Sequence, residues 1–326
     1  MAPAGHPNPP LQNTVDQIRH SGAARRFSGK VRENFVFPNG RMAIVVTDRI
    51  SVFDYKIGTV PYKGQVLNRL AAWWFDKLSD IGVPHHLISV PHPNVSEVKY
   101  AAPLPVEFVM RAYLTGTTTT SSWFAYRNHD RMICGLEMPR GRKKNERFPT
   151  PICTPTTKAT VGHDVNLSVV KIIQRNLLTE DLLGTAQTLA SRMFAEGQRV
   201  AEQRGLMLVD TKYEFGITEN GELLVIDEVH TPDSSRYWLA ESYPRRMSLG
   251  QEPESLDKEF VRQMIINNGY DVTSTEDPSR FLTDEMRTAA AERYLQLYAR
   301  LTGNPLEPAH TDITDVISVL DSLARN

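Results

Sequence analysis

Leu206-Met-Leu-Val-Asp210-Thr-Lys212-Tyr-Glu214-Phe-Gly-Ile217, then Asn220-Gly221, then Leu223-Leu-Val-Ile-Asp227-Glu228-Val229, reads as two strands around a tight turn. Side chains alternate along a strand, so Asp210, Lys212 and Glu214 share one face while Val209, Thr211 and Tyr213 share the other. Asn-Gly favours a two-residue hairpin loop. Closed that way, Glu219 faces Glu222, and counting back sets Glu214 opposite Asp227. Paired side chains have Cβ atoms about 4.5–5.5 Å apart, and like charges so placed are destabilising. A Mg²⁺ ion, which takes carboxylate, water and phosphate oxygens, would turn that repulsion into a site. Lys212 would then stabilise charge on a transferring phosphoryl group. The alternative is an exposed strand face carrying a surface salt bridge.

Three neighbouring stretches carry further polar chemistry. Val229-His-Thr-Pro-Asp233-Ser-Ser235-Arg236-Tyr-Trp238 is a loop at a strand end, a usual place for ligand contacts. Thr47-Asp-Arg-Ile-Ser51-Val-Phe-Asp54 is a second such loop. Glu107 to Ser122 sets Arg111, whose fork suits phosphate or carboxylate, near Gly116 and the hydroxyl-rich run Thr117–Thr120. Ser28-Gly29-Lys30-Val31-Arg32 has the look of a phosphate-covering strand turn, although neither a Walker nor a Rossmann glycine signature is present.

Around these lie packing elements. Phe27 to Thr47 forms a hairpin about Pro38-Asn39-Gly40, and Gly64 to Asp80 carries apolar residues at helical spacing. Val106 to Met110 reads as a buried strand at a lobe boundary. A helix spans about Thr179 to Arg204 and stops at Gly205, and three helical patterns follow Ser255. The expected organisation is a tail (1–26), a β-rich lobe (27–108), an α/β lobe (109–254) and a helical segment (255–326). With 326 residues, 40% of them apolar, the chain has enough core for two lobes. Its formal charge of −1 gives no global reason for a nucleic-acid or membrane partner, and the basic stretch 139–147 reads as a solvated loop. Cys134 and Cys153 lack zinc-site spacing, which with no 20-residue apolar stretch points to a cytoplasmic protein.

Taken together, the blocks resemble the SAICAR synthetase family. They are Gly29-Lys-Val-Arg32, Thr47 to Asp54, Lys63-Gly-Gln-Val-Leu-Asn68, Glu107-Phe-Val-Met-Arg111 with Gly116, Pro151 to Lys158, Asp210 to Gly216 and Asp227 to Trp238. The resemblance implies an α+β fold in which a kinase-like antiparallel nucleotide lobe faces an α/β lobe with C-terminal helices. It also implies an ATP- and Mg²⁺-dependent ligase joining the carboxylate of carboxyaminoimidazole ribonucleotide (CAIR) to L-aspartate, in a monomer or homodimer. By likeness, Gly29, Lys30, Val31 and Arg32 cover ATP, and the backbone of Glu107 to Val109 receives adenine. Glu214 and Asp227 hold Mg²⁺, Lys212 and Asp210 are catalytic, and Ser51, Asp54, Arg111, Thr117, Ser235 and Arg236 bind the ribonucleotide. Lys158, His163 and Asp164 form the aspartate pocket. Two departures stand out: Gly116-Thr117 replaces a frequent Gly-Ser, and acidic residues that often flank His-Asp are missing around His163-Asp164. A small-molecule kinase would use the same parts with an alcohol as acceptor, and a nucleotide-binding regulatory module would bind ATP without turnover.

Overall fold

The structure is a computed structural model that describes residues 11–12, 14–158, 164–272 and 274–325. The chain opens with β1 (Arg25–Ser28), β2 (Arg32–Val36), β3 (Arg41–Val46), β4 (Arg49–Val52), β5 (Tyr55–Thr59), α1 (Lys63–Asp80), β6 (Leu87–His92) and β7 (Val95–Lys99). Five of these strands make an antiparallel sheet in the order β1-β2-β3-β7-β6, and β4 and β5 form a separate hairpin. The β2–β3 turn falls at Asn39-Gly40 as expected: the Asn39 side chain accepts from the amide of Arg41 at 3.0 Å, and Gly40 takes φ 80°.

A second sheet is built from β8 (Ala102–Pro103), β9 (Val106–Leu114), β12 (Glu146–Cys153), β13 (Thr156–Thr157), β14 (Leu206–Ile217), β15 (Leu223–Ile226) and β16 (Ser235–Leu239). Between these come α2 (Ser122–Arg127), the short pair β10 (Met132–Ile133) and β11 (Leu136–Glu137), α3 (Val169–Gln174) and α4 (Glu180–Gln203). α5 (Tyr243–Ser248), α6 (Glu259–Asn267), α7 (Asp284–Thr302) and α8 (Ile313–Arg325) complete the chain. No helix among the described residues is long and apolar enough to cross a membrane.

The main core lies where α1 and α4 cover one face of the second sheet. Leu70, Trp74, Phe75 and Leu78 of α1 meet Ala186, Ala190, Met193 and Phe194 of α4 over Phe108, Tyr213 and Phe215. Each helix has the expected 3.6-residue stripe, and the Thr179 hydroxyl caps α4 by accepting from the amide of Leu182. With its apolar face filled, the sheet turns the polar positions of β14 the other way.

Three features of the packing bear on the expected divisions. The chain leaves the first sheet at Lys99, and β9 runs unbroken through the expected lobe boundary at 108/109. The tail packs before residue 26, since Val15 and Ile18 are buried against Phe35, Val45 and α8. Within the C-terminal helical segment, α6 and α7 pack on the β4–β5 hairpin, while α8 covers the first sheet.

Candidate active site

Strand β14 changes neighbours along its length. From Leu206 to Thr211 it pairs with β16, from Asp210 to Tyr213 with β9, and from Glu214 to Ile217 with β15. Where β16 ends and β15 begins the sheet opens, and the loop from Asp227 to Ser234 fills the gap, anchored by the amide of Lys212 donating to the Ser234 carbonyl at 3.0 Å. The polar face of β14 therefore lines a cavity of about 200 Å³.

At the near end of that cavity Asp210 accepts from Arg236 at 2.5 Å and from Arg111 at 3.4 Å. Arg111 is held in place by the Thr154 hydroxyl at 2.7 Å and the Thr120 carbonyl at 3.0 Å. Two positions on, Lys212 Nζ donates to Glu107 at 2.8 Å and to Glu214 at 2.5 Å, and Glu214 also accepts from Lys158. Burial works against each of these charges, but for Lys212 and Glu214 the partners decide the outcome. The two glutamates hold the Lys212 ammonium well above its usual range, and Lys212 and Lys158 hold Glu214 well below the carboxylate range. For Glu107 burial prevails over Lys212 and pushes the carboxyl up to about 7.

The register corrects the expected pairing of Glu214 with Asp227. Glu214 lies opposite Ile226, and Ile217 opposite Leu223. The loop is five residues long because Thr218 closes it: its amide donates to the Glu222 carbonyl at 3.0 Å and its hydroxyl accepts from the Glu222 amide at 3.0 Å. Asp227 thus falls just beyond β15, in the left-handed region at φ 67°. That turn frees its side chain from strand alternation. Burial raises the Asp227 carboxyl, and the charges of Glu214 and Glu228 add to the rise, against Arg32 at 3.4 Å. The two carboxylates interact after all, through a backbone turn rather than a ladder pair.

The expected adenine contact falls on Glu107 to Val109. β9 is an interior strand, paired with β14 on one edge and with β12 and β13 on the other, and the Val109 carbonyl accepts from the Thr154 amide at 2.8 Å. At Val109 the backbone is thus engaged on both edges, which argues against this residue as the receptor for adenine. Glu107 enters the site through its carboxylate instead.

The remaining expected residues divide between the cavity and its surroundings. Ser235 and Asp164 line it, with the Ser235 hydroxyl donating to Thr211 at 2.7 Å. Thr117 lines an adjoining cavity that shares Arg236. Gly29 to Arg32 is a tight turn whose Gly29, Lys30 and Arg32 carbonyls all accept from Arg49, and the Val31 carbonyl accepts from Thr47. Lys30 pairs with Asp54, both about half exposed. Arg32 is instead buried on Asp227 and Glu228. Ser51 is buried in β4, away from the cavity walls. His163 lies outside the described residues.

Sequence reasoning missed two features. Lys63 and Asp233 form a buried ion pair at 2.7 Å across 170 residues, with Tyr294 of α7 on the other carboxylate oxygen at 3.3 Å. No local pattern announces such a pair. Lys258 and Arg262 also line the cavity, and burial lowers the Lys258 ammonium to about 8. Their four-residue spacing at the start of α6 was a signal that could have been read.

An acid-lysine-acid strand face beside two arginines, in a cavity walled by β9, β14, the loop before β16 and the start of α6, suits an enzyme for phosphorylated, anionic substrates. The family model described as SAICAR synthetase matches residues 25–278, and the chain belongs to that family. It is 43% identical over 279 residues to the phosphoribosylaminoimidazole-succinocarboxamide synthase of Legionella pneumophila, covering 86% of this chain and 88% of that one. The Arabidopsis thaliana protein of that name, described as chloroplastic, is 42% identical over 300 residues, covering 91% of this chain and 72% of that one. Among solved structures, the SAICAR synthase of Saccharomyces cerevisiae complexed with SAICAR superposes with a TM-score of 0.74 at 28% identity, covering 90% of this chain and all of that one. A type-2 SAICAR synthetase in complex with ADP shares the fold, with a TM-score of 0.66 at 21% identity, covering 87% of this chain and all of that one. The α+β fold with C-terminal helices is that of SAICAR synthase.

Proposed function

We propose that this chain joins the carboxylate of CAIR to the amine of L-aspartate, converting ATP to ADP and phosphate and giving SAICAR in purine biosynthesis. Lys212 carries the reading: one ammonium stands between an arginine-rich anion site and a cluster of carboxylates. The Legionella and Arabidopsis relatives named for this activity support it, as does the yeast structure with SAICAR. The fold relative solved with ADP is in keeping with ATP as the phosphoryl donor.

A carboxylate is a poor acyl donor. Transfer of the γ-phosphoryl group to an oxygen of the CAIR carboxylate gives an acyl phosphate; the aspartate amine then attacks the acyl carbon, phosphate leaves and the amine loses a proton. Lys212 faces the charge that develops on the moving phosphoryl group, and it is already oriented by Glu107 and Glu214. Arg111 and Arg236 orient the ribonucleotide. One buried and one partly buried carboxylate fit a hard cation that also takes phosphate oxygens; burial raises Asp227 first, and the like charge of Glu214, which such an ion would relieve, adds to the rise. Glu214 and Asp227 would hold Mg²⁺, which would supply positive charge to the nucleotide phosphates. The Gly29–Arg32 turn, with Lys30 exposed, would lie over the phosphates.

The test is phosphate release from ATP and CAIR with and without aspartate. Release and SAICAR formation that require aspartate are expected. A phosphorylated acceptor formed without any amine would make the protein a kinase, and ATP binding without product a regulatory module.

A further inference from the structure

We propose that Arg293, on α7 and beyond the residues matched by the family model, grips the 5′-phosphate of the ribonucleotide substrate. The inference rests on the function proposed above. A second cavity, of about 320 Å³, adjoins the first and shares Arg236 and Glu259 with it. Its walls include Gly116, Thr117, Trp238, Phe260 and Arg293. The other cations there have carboxylate partners: Lys144 meets Glu252 at 2.5 Å, Arg246 meets Glu254 at 3.8 Å, and Arg236 meets Asp210. Arg293 differs. Its guanidinium lies 3.4 Å from the centroid of the Phe260 ring, and its Nε is buried without a hydrogen-bond partner. Among the described residues no carboxylate lies within ion-pair distance of it, and Glu254 and Glu292 act on it only from further away.

An arginine cannot shed its proton, so this charge stays half-buried with only an aromatic face to offset it. A ligand anion would complete it. The same cavity offers the other donors a phosphate needs: Gly116 in a left-handed turn at φ 95° and the Thr117 hydroxyl. Geometry sets the substrate's direction. The reacting carboxylate must face Lys212 in the first cavity, so the phosphate end reaches past Arg236 into the second.

Steady-state kinetics with CAIR and with its nucleoside lacking the 5′-phosphate test this. Arg293→Gln should raise KM for CAIR by about tenfold or more, with kcat within about threefold, because a charge-assisted contact is lost from binding. With the nucleoside, variant and parent should be equal. An unchanged KM for CAIR, or an equal loss with the nucleoside, overturns the proposal. If Arg293→Gln shows no cooperative melting, Arg293→Lys, which keeps the charge over Phe260 but loses the fork, decides it by a smaller loss confined to the phosphorylated substrate. Should the parent chain make no SAICAR, the functional reading fails by itself. Calorimetry of CAIR against its nucleoside, for parent and Arg293→Gln, then still decides Arg293.

Discussion

The two ends of the polar face of β14 begin from nearly the same residues and acquire opposite character. Asp210 and Glu214 are both carboxylates, each one step from Lys212 on the same face. Around Asp210 the neighbours are β9 and β16, which contribute Arg111 and Arg236, so one acid is outnumbered by two guanidiniums. Around Glu214 the neighbours are the Asp227 turn and the side chain of Glu107, and Glu228 adds another carboxylate nearby. Lys212, Lys158 and Arg32 do not match that count of four acids. Polarity along the strand is thus set by which strands flank it, and the change of partner at Glu214 is what separates an anion end from a cation end. Lys212 stands at the junction, where a phosphoryl group passing from nucleotide to carboxylate would be most negative.

The strongest way to break this comparison is to remove the junction. Lys212→Ala should lower kcat by about 10²–10³-fold or more while the melting transition stays cooperative, because the side chain is one-third exposed and adds little to the core. Retained turnover, or loss of the folded state, would contradict its role. Next comes the acidic end. Asp227→Asn should raise the Mg²⁺ concentration for half-maximal activity by about 10–100-fold and leave KM for CAIR nearly unchanged; an unshifted Mg²⁺ titration would remove the metal pair. Arg236→Gln is the converse, with KM for CAIR up about tenfold and the same Mg²⁺ requirement. If either variant moved both parameters, the two ends would not be separate sites.

Much of this face was legible because strand alternation is a strict rule: Asp210, Lys212 and Glu214 had to point one way once Tyr213 and Phe215 were buried the other way. The helices were legible for the same reason, since the stripes on α1 and α4 are long and regular. The hairpin register was not. Asn220-Gly221 signals a two-residue loop, but Thr218 adds a side-chain bond that stabilises a longer one, and a single-residue slip reverses every facing relation in the count. Asp227 then comes within electrostatic range of Glu214 from a left-handed backbone turn outside the alternation from which the pairing was inferred. Lys63 with Asp233 and the bridge from Arg32 to Asp227 and Glu228 are long-range contacts, and nothing in the spacing along the chain encodes them. The edge pairing of β9 likewise depends on where β12 and β13 return, which spacing along the chain does not encode.

The smallest expected effect sharpens the account of the acidic end by asking which of its carboxylates is in surplus. Burial lifts the Glu107 carboxyl from 4.5 to about 7 in spite of Lys212. Between those values the folded chain keeps a proton that the unfolded chain releases, so this group's contribution to stability declines as pH rises through the window. Glu214 has the opposite sign: its carboxyl is depressed, and its contribution is present above the ordinary glutamate range and lost as pH falls. Glu107→Gln mimics the protonated acid, so parent and variant should melt together at pH 5. At pH 8 the variant should melt about 2–4 °C higher, since it lacks a charge that burial disfavours. A variant that melts lower at pH 8 would mean that Lys212 needs both glutamates as anions, and the excess of negative charge assigned to this end would belong to Asp227 and Glu228 alone.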